Sequence, residues 1–241
     1  MSDRGFEILL EDDAVLGVSK PAGVATQAPP GIDSLEVRIR AYLADNTVEP
    51  SSIYIGIPHR LDRPVTGAMV FAKTRRAARQ LSRQFERRKI EKRYWAAVQG
   101  TVDPPEGTWC DTLWKVYGQP RAMVVEPEHP NGQHAVLHYR TIGRHALGSW
   151  LELELETGRT HQVRVQCASR GWPVVGDTLY GATATLGPAV EDERLQLIAL
   201  HARSLTFWHP TTHEQTAVTA ELPESWKVLE LHPAAVGQGS P

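Results

Sequence analysis

His59-Arg60-Leu61-Asp62-Arg63-Pro64-Val65-Thr66-Gly67 puts a single carboxylate among basic residues in a chain of 241 residues. Upstream of it, Ile53, Ile55 and Ile57 alternate with Tyr54, Gly56 and Pro58; downstream, Ala68, Val70 and Ala72 alternate again. Period-two patterning predicts strands. Asp62 is therefore expected in a short connection between two strands, where a rigid scaffold displays functional side chains. Arg60 and Arg63 on either side favour the carboxylate form, which suits a nucleophile or base acting on an anionic substrate. The plainer alternative is a loop aspartate that only pairs with its neighbours.

Working outward, residues 6–10 and 15–18 read as two strands joined at Glu11-Asp12-Asp13. A helix over 34–44 carries Leu35, Ile39, Tyr42 and Leu43 at helical spacing, with Asp33 or Ser34 as its cap. A second helix over 75–89 has Thr74 as cap and buries Ala77, Ala78, Leu81 and Phe85. Tyr94 to Val98 returns as a strand, and the Pro- and Gly-rich stretch 101–135 reads as loops with short strands. Residues 135–142 and 150–156 form a strand pair, the second with Leu151, Leu153 and Leu155 opposite Glu152, Glu154 and Glu156. Residues 160–170 favour a helix stopped by Gly171, and strands follow at 195–199 and 203–208. Strands outnumber helices and hairpins recur, so the fold class is α+β with a mixed, largely antiparallel sheet. One domain is expected over 1–233, with a disordered tail over 234–241.

No apolar run approaches the ~18 residues that span a bilayer, and no hydrophobic secretory segment opens the chain. Cys110 and Cys167 are the only cysteines, so free thiols in a cytoplasmic protein are expected. The formal net charge of −2 argues against a nucleic-acid partner until its distribution is considered. Residues 73–93 hold ten Lys or Arg against Glu86 and Glu91, a local charge of +8 that leaves −10 for the other 220 residues. A basic stripe on an acidic body contacts phosphates while the rest of the surface repels them.

Two further segments, Lys92-Arg-Tyr-Trp-Ala-Ala-Val-Gln-Gly100 and Thr157-Gly-Arg-Thr-His-Gln-Val-Arg-Val165, follow the first in order. Together the three closely resemble the RluA-type pseudouridine synthases, which isomerise uridine to pseudouridine in structured RNA. Ser19-Lys20-Pro21-Ala22-Gly23 is similar to an early turn of that family, and Leu200-His201-Ala202 with His209-Pro210 to its closing segment. The resemblance runs from about residue 8 to 222. It implies a pseudouridine synthase fold, with a central bent sheet flanked by helices and an RNA-binding cleft. It also leaves no room for the small N-terminal module of many relatives.

The isomerisation gains and loses no group and changes no oxidation state, so neither cofactor nor metal is expected. By resemblance Asp62 is the essential carboxylate, which either attacks the sugar or removes a ribose proton. Arg164 is its partner, gripping it through two parallel hydrogen bonds, and a helix over 160–170 would put Thr160 and Arg164 on one face. Tyr94 stacks on the extruded base, whereas Trp95 points to the core. Arg60, Arg63, Arg159 and His161 help to place phosphate or ribose. Lys20 does the same or braces its turn, and Leu200 contacts the base. The family's Asp-x-x-Thr-Ser-Gly reads here as Asp62-Arg63-Pro64-Val65-Thr66-Gly67, a change that bears on substrate choice. The substrate is transfer or ribosomal RNA, and a monomer is the default. Two rivals remain: a metal-dependent hydrolase using His129, His134 and His138 or His209 and His213, and a non-catalytic RNA-binding or chaperone protein on the same fold. The histidine spacings match no zinc pattern. The second rival predicts RNA binding that does not depend on Asp62.

Overall fold

The structure, a computed structural model, describes residues 4–46, 52–188, 190, 192 and 195–234. The expected tail lies outside the described residues except for Ala234. In chain order the elements are β1 (Glu7–Glu11), β2 (Val15–Lys20), α1 (Leu35–Asp45), β3 (Thr66–Ala72), α2 (Arg75–Glu86), β4 (Glu91–Gln99) and β5 (Glu106–Lys115). There follow β6 (Ala122–Val125), β7 (Gln133–His145), β8 (Gly148–Leu155), α3 (Gln162–Ala168), β9 (Leu200–Trp208), β10 (Gln215–Thr219) and β11 (His232–Pro233). This is the expected α+β class with largely antiparallel strands. The chain divides into two units: Met1–Arg93 with Val190–Leu197 and His201–Pro223, and Tyr94–Ala189 with Ile198–Leu200 and Glu224–Pro241.

In the first unit the strand order is β1-β2-β3-β9, with β10 also on β9. All seven residues of β3 are buried, as expected of a strand covered on both faces. β2 pairs antiparallel along one edge of β3. On the other edge β9 runs parallel, with Thr66 opposite His201 and Gly67 opposite Ala202. Helix α2 lays Ala77 and Leu81 into the core of this sheet with Val70, Leu205 and Phe207. Thr74 caps it, its hydroxyl accepting the Ala77 N–H at 3.1 Å, a contribution of about 1 kcal/mol. Ser34 does the same for α1 by accepting from Val37.

Three sequence expectations fail along this part of the chain. Residues 53–57 do not form a strand, because the edge of β3 open to them offers only Ala72. Gly56 and Ala72 exchange two backbone hydrogen bonds, 2.8 and 2.9 Å, and a side chain at Gly56 would collide with Ala78. Helix α2 stops at Glu86 rather than 89. Arg88 turns left-handed (φ +54°), while Lys89 N–H bonds Gln84 C=O at 2.9 Å and Arg88 N–H bonds Phe85 C=O at 3.1 Å. That is the Schellman pattern with arginine at the usual glycine position. Finally, 195–199 is irregular and a single strand, β9, spans 200–208.

In the second unit the order is β4-β8-β7-β5-β6. β5 is a ten-residue strand, longer than the Pro- and Gly-rich sequence predicts. The thirteen-residue β7 pairs with β5 and β8, and its register with β8 shifts between Thr141 and Gly143. Past that bulge β11 pairs with Arg144 and Gly143. Leu151, Leu153 and Leu155 of β8 are buried, as the alternation predicts. Helix α3 covers only Gln162–Ala168, with Gln162 to Cys167 all buried. Both cysteines are free thiols.

Candidate active site

Asp62 is half-buried at the start of a turn that Val65 N–H closes onto Asp62 C=O at 3.1 Å. The main chain is tied down on both sides of it. Before Asp62, the buried Thr26 hydroxyl accepts the Leu61 N–H (3.1 Å) and donates to the Leu61 C=O (2.9 Å). After it, the Arg63 C=O accepts from Gly23 N–H at 2.9 Å and from Lys20 Nζ at 3.1 Å. Lys20 is fully buried and also donates to the carbonyls of Pro21 (2.9 Å) and Val24 (2.8 Å). Burial pulls its pKa down to about 7, against the opposing pull of the Asp62 carboxylate. Lys20 therefore braces the turn, the second of its two expected roles.

The same segment is fixed at both ends by neutral histidines. His59 Nε2 accepts the Val70 N–H at 3.0 Å, standing in for a strand partner at the edge of β3. Its ring stacks on Phe85 of α2 at 4.6 Å and 20°, and burial lowers its pKa to about 3. Beyond the turn, His201 Nε2 donates to Ala220 C=O at 3.1 Å. Its Nδ1 is then an acceptor, and the Thr66 hydroxyl donates a hydrogen bond to it at 2.8 Å. Burial holds His201 down to about 4. Gly67 (φ +118°) presses on the backbone of Ala202 so closely that any side chain would overlap it. Arg60 is exposed and Arg63 half-buried. The unit thus presents a carboxylate on an immobilised main chain with two arginines beside it.

In the second unit Gln162 organises the Thr157–Arg159 loop. Its Oε1 accepts from Thr157 Oγ1 (2.7 Å) and Arg159 N–H (3.0 Å), and its Nε2 donates to Val136 C=O (3.1 Å). His161 is left-handed (φ +54°) and precedes α3. The helix is therefore shorter than 160–170, and Thr160 shares no helical face with Arg164. Arg164 is buried and grips Asp177 with both Nε and Nη2, at 2.6 and 2.7 Å. Its guanidinium also lies over the Tyr180 ring at 5.1 Å. The Tyr180 hydroxyl accepts the Ala122 N–H at 2.8 Å and meets His161 Nδ1 at 2.9 Å. Arg159 Nε donates to His134 C=O at 3.0 Å, and its Nη1 to Gln133 Oε1 at 3.3 Å. Tyr94 is half-buried in β4 and Leu200 buried at the start of β9. Trp95 is half-buried rather than in the core, edge-on to Trp150 at 5.1 Å.

The family model for RNA pseudouridylate synthase matches residues 14–169, a span that holds the Asp62 turn, β4 and α3. The chain belongs to that family. An RNA pseudouridine synthase of Synechocystis sp. is 34% identical over 229 residues, covering 94% of this chain and 68% of its own length. Ribosomal large subunit pseudouridine synthase D of Vibrio cholerae is 34% identical over 235 residues, 95% of this chain and 71% of its own. The solved structure of Human RNA Pseudouridylate Synthase Domain Containing 4 superposes with a TM-score of 0.74 at 24% identity, covering 94% of both chains. That of Domain Containing 1 gives 0.74 at 23%, covering 97% of this chain and 91% of its own. At such identities the structures speak for the fold.

As a pseudouridylate synthase the chain is an isomerase. The four hydrogen bonds to Leu61 and Arg63 limit the drift of the Asp62 main chain. Sequence reading missed Asp177, Tyr180 and Thr26. Asp177 follows Val174-Val175-Gly176, a lone acid closing an apolar run, and that was the available signal. Thr26 carried none.

Proposed function

We propose that this chain isomerises a specific uridine of large-subunit ribosomal RNA to pseudouridine, with Asp62 as the reacting carboxylate. The observation that carries the reading is the immobilised Asp62 turn, inside the stretch that the family model matches. Preorganising a charged group lowers the reorganisation needed at the moment of reaction. The ribosomal target is supported by relatives named ribosomal large subunit pseudouridine synthase D in four bacteria, each 34% identical. In this reading Arg164, itself held by Asp177, orients Asp62, and Tyr94 stacks on the extruded base beside Leu200. Arg60, Arg63, Arg159 and His161 contact ribose and phosphate. The protein works as a monomer in the cytoplasm, where its RNA is; among the described residues no helix is long and apolar enough to cross a membrane.

Transcripts carrying tritium at uridine carbon 5 test the proposal, because the new carbon bond expels that label. Wild type is expected to release it from ribosomal transcripts, and Asp62→Asn to release none while still binding them. Release from transfer RNA alone would overturn the ribosomal assignment. Equal release by both proteins would remove Asp62 from the reaction.

A further inference from the structure

The arginines of α2 are placed where they do not help the helix. Arg75, Arg79 and Arg83, continued by Arg87 at the C-cap, stand four residues apart in a row, and all four are exposed. Like charges at i,i+4 weaken a helix. Arg75 and Arg76 also occupy the first turn, which holds no acid, although the N-terminal dipole favours acids there. No carboxylate offsets the row: among the described residues Arg75, Arg79, Arg83 and Arg87 form no ion pair, the Arg75 guanidinium lies over the Tyr54 ring at 5.4 Å, and the nearby pair of Lys73 with Glu11 lies before the helix begins.

The helix that carries the row is anchored to the Asp62 segment. Gln84 exchanges two hydrogen bonds with the Trp208 main chain, 2.7 and 2.8 Å. Phe85 stacks on His59, three residues before Asp62. Successive arginines lie about 6 Å apart along a helix of 1.5 Å rise, comparable with the separation of neighbouring phosphates on one nucleic-acid strand.

We propose that Arg75, Arg79, Arg83 and Arg87 form a track for the phosphates of the RNA strand flanking the target uridine. Helix α2 would then supply affinity outside the reacting nucleotide, and its contacts would be blind to sequence. This rests on the proposed RNA reading and adds the surface that holds the stem.

The test is the salt dependence of binding, measured on the full chain with a fluorescent ribosomal hairpin transcript in a KCl titration. Replacing all four arginines with glutamine should flatten the plot of log affinity against log salt by about 3, because each neutralised phosphate contributes ~0.7–0.9 to the slope. The four-lysine variant should keep most of the slope, because charge is what counter-ion release reports. The weakening caused by glutamine should appear in Kd and KM, not in the rate at saturating RNA. Circular dichroism on both variants separates misfolding from a loss of phosphate binding. A glutamine variant that folds and keeps the wild-type slope overturns the track and leaves α2 for another partner, such as an acidic protein. That outcome differs from failure of the isomerase reading, in which wild type releases no tritium from any transcript whatever α2 does.

Discussion

Arg164 donates from Nε and Nη2 to both carboxylate oxygens of Asp177, and the two side chains are 6% and 1% exposed. Two charges so far from water stabilise each other only as a pair. Removing one partner strands the other, which typically costs about 3–5 kcal/mol. Asp177→Ala should therefore lower unfolding stability by about that amount in urea. Asp177→Asn keeps one acceptor and should lose less. If Arg164 orients the reacting carboxylate, the asparagine variant loses kcat while KM stays near the wild-type value. An alanine variant as stable as wild type would mean the pair is dispensable.

Thr26 offers a test of main-chain anchoring away from any charge. Its one hydroxyl satisfies both polar groups of Leu61, immediately before Asp62. Thr26→Val keeps the shape and leaves a buried N–H and C=O without their partner. Each such group costs about 1–3 kcal/mol. The expected result is lower stability together with a fall in kcat, since the Asp62 turn is released on one side. Thr26→Ser, which restores the hydroxyl, should recover most of both. Failure of the serine variant to recover activity would show that the methyl group, not the hydrogen bonds, matters at this position.

Much of this architecture was legible in local pattern. The caps at Ser34 and Thr74, the alternation of Leu151, Leu153 and Leu155, and the basic stripe all express short-range rules that act within a few residues. What escaped depended on residues distant in sequence. Gly56 lacks a strand because of which edge of β3 it meets, and the end of α2 is set by a left-handed Arg88 where no glycine signals a stop. The short α3 follows from a left-handed His161, beside which the Gln162 side chain ties down Thr157 and Arg159. In the candidate site, the proposed residues Asp62, Tyr94 and Arg164 could be put forward from motifs. Their supports could not, because Thr26 meets Leu61 across 35 residues and Arg164 meets Asp177 across 13.

Lys20 makes opposite predictions for stability and activity as pH rises. Its amine is fully buried, and burial sets its pKa at about 7, whereas the ordinary value is 10.5. Between those values the unfolded chain holds a proton that the folded protein has released. Stability then rises with pH across the window, by at most about 1.4 kcal/mol per pH unit from this group. Below pH 7 both states are protonated and Lys20 adds no slope. Activity should move the other way. An ammonium serves the carbonyls of Pro21, Val24 and Arg63 together, but a neutral amine has only two N–H donors. The bond to Arg63, the longest of the three at 3.1 Å, is the one expected to be released. The Asp62 turn then loosens on its C-terminal side, and kcat falls as pH passes above 7 while the protein becomes harder to unfold. Urea titrations and tritium release at matched pH values measure the two trends on one sample. Lys20→Met should abolish the extra stability slope. If wild type and Lys20→Met show the same pH dependence of unfolding, the Lys20 amine does not titrate in this window and the activity argument fails with it.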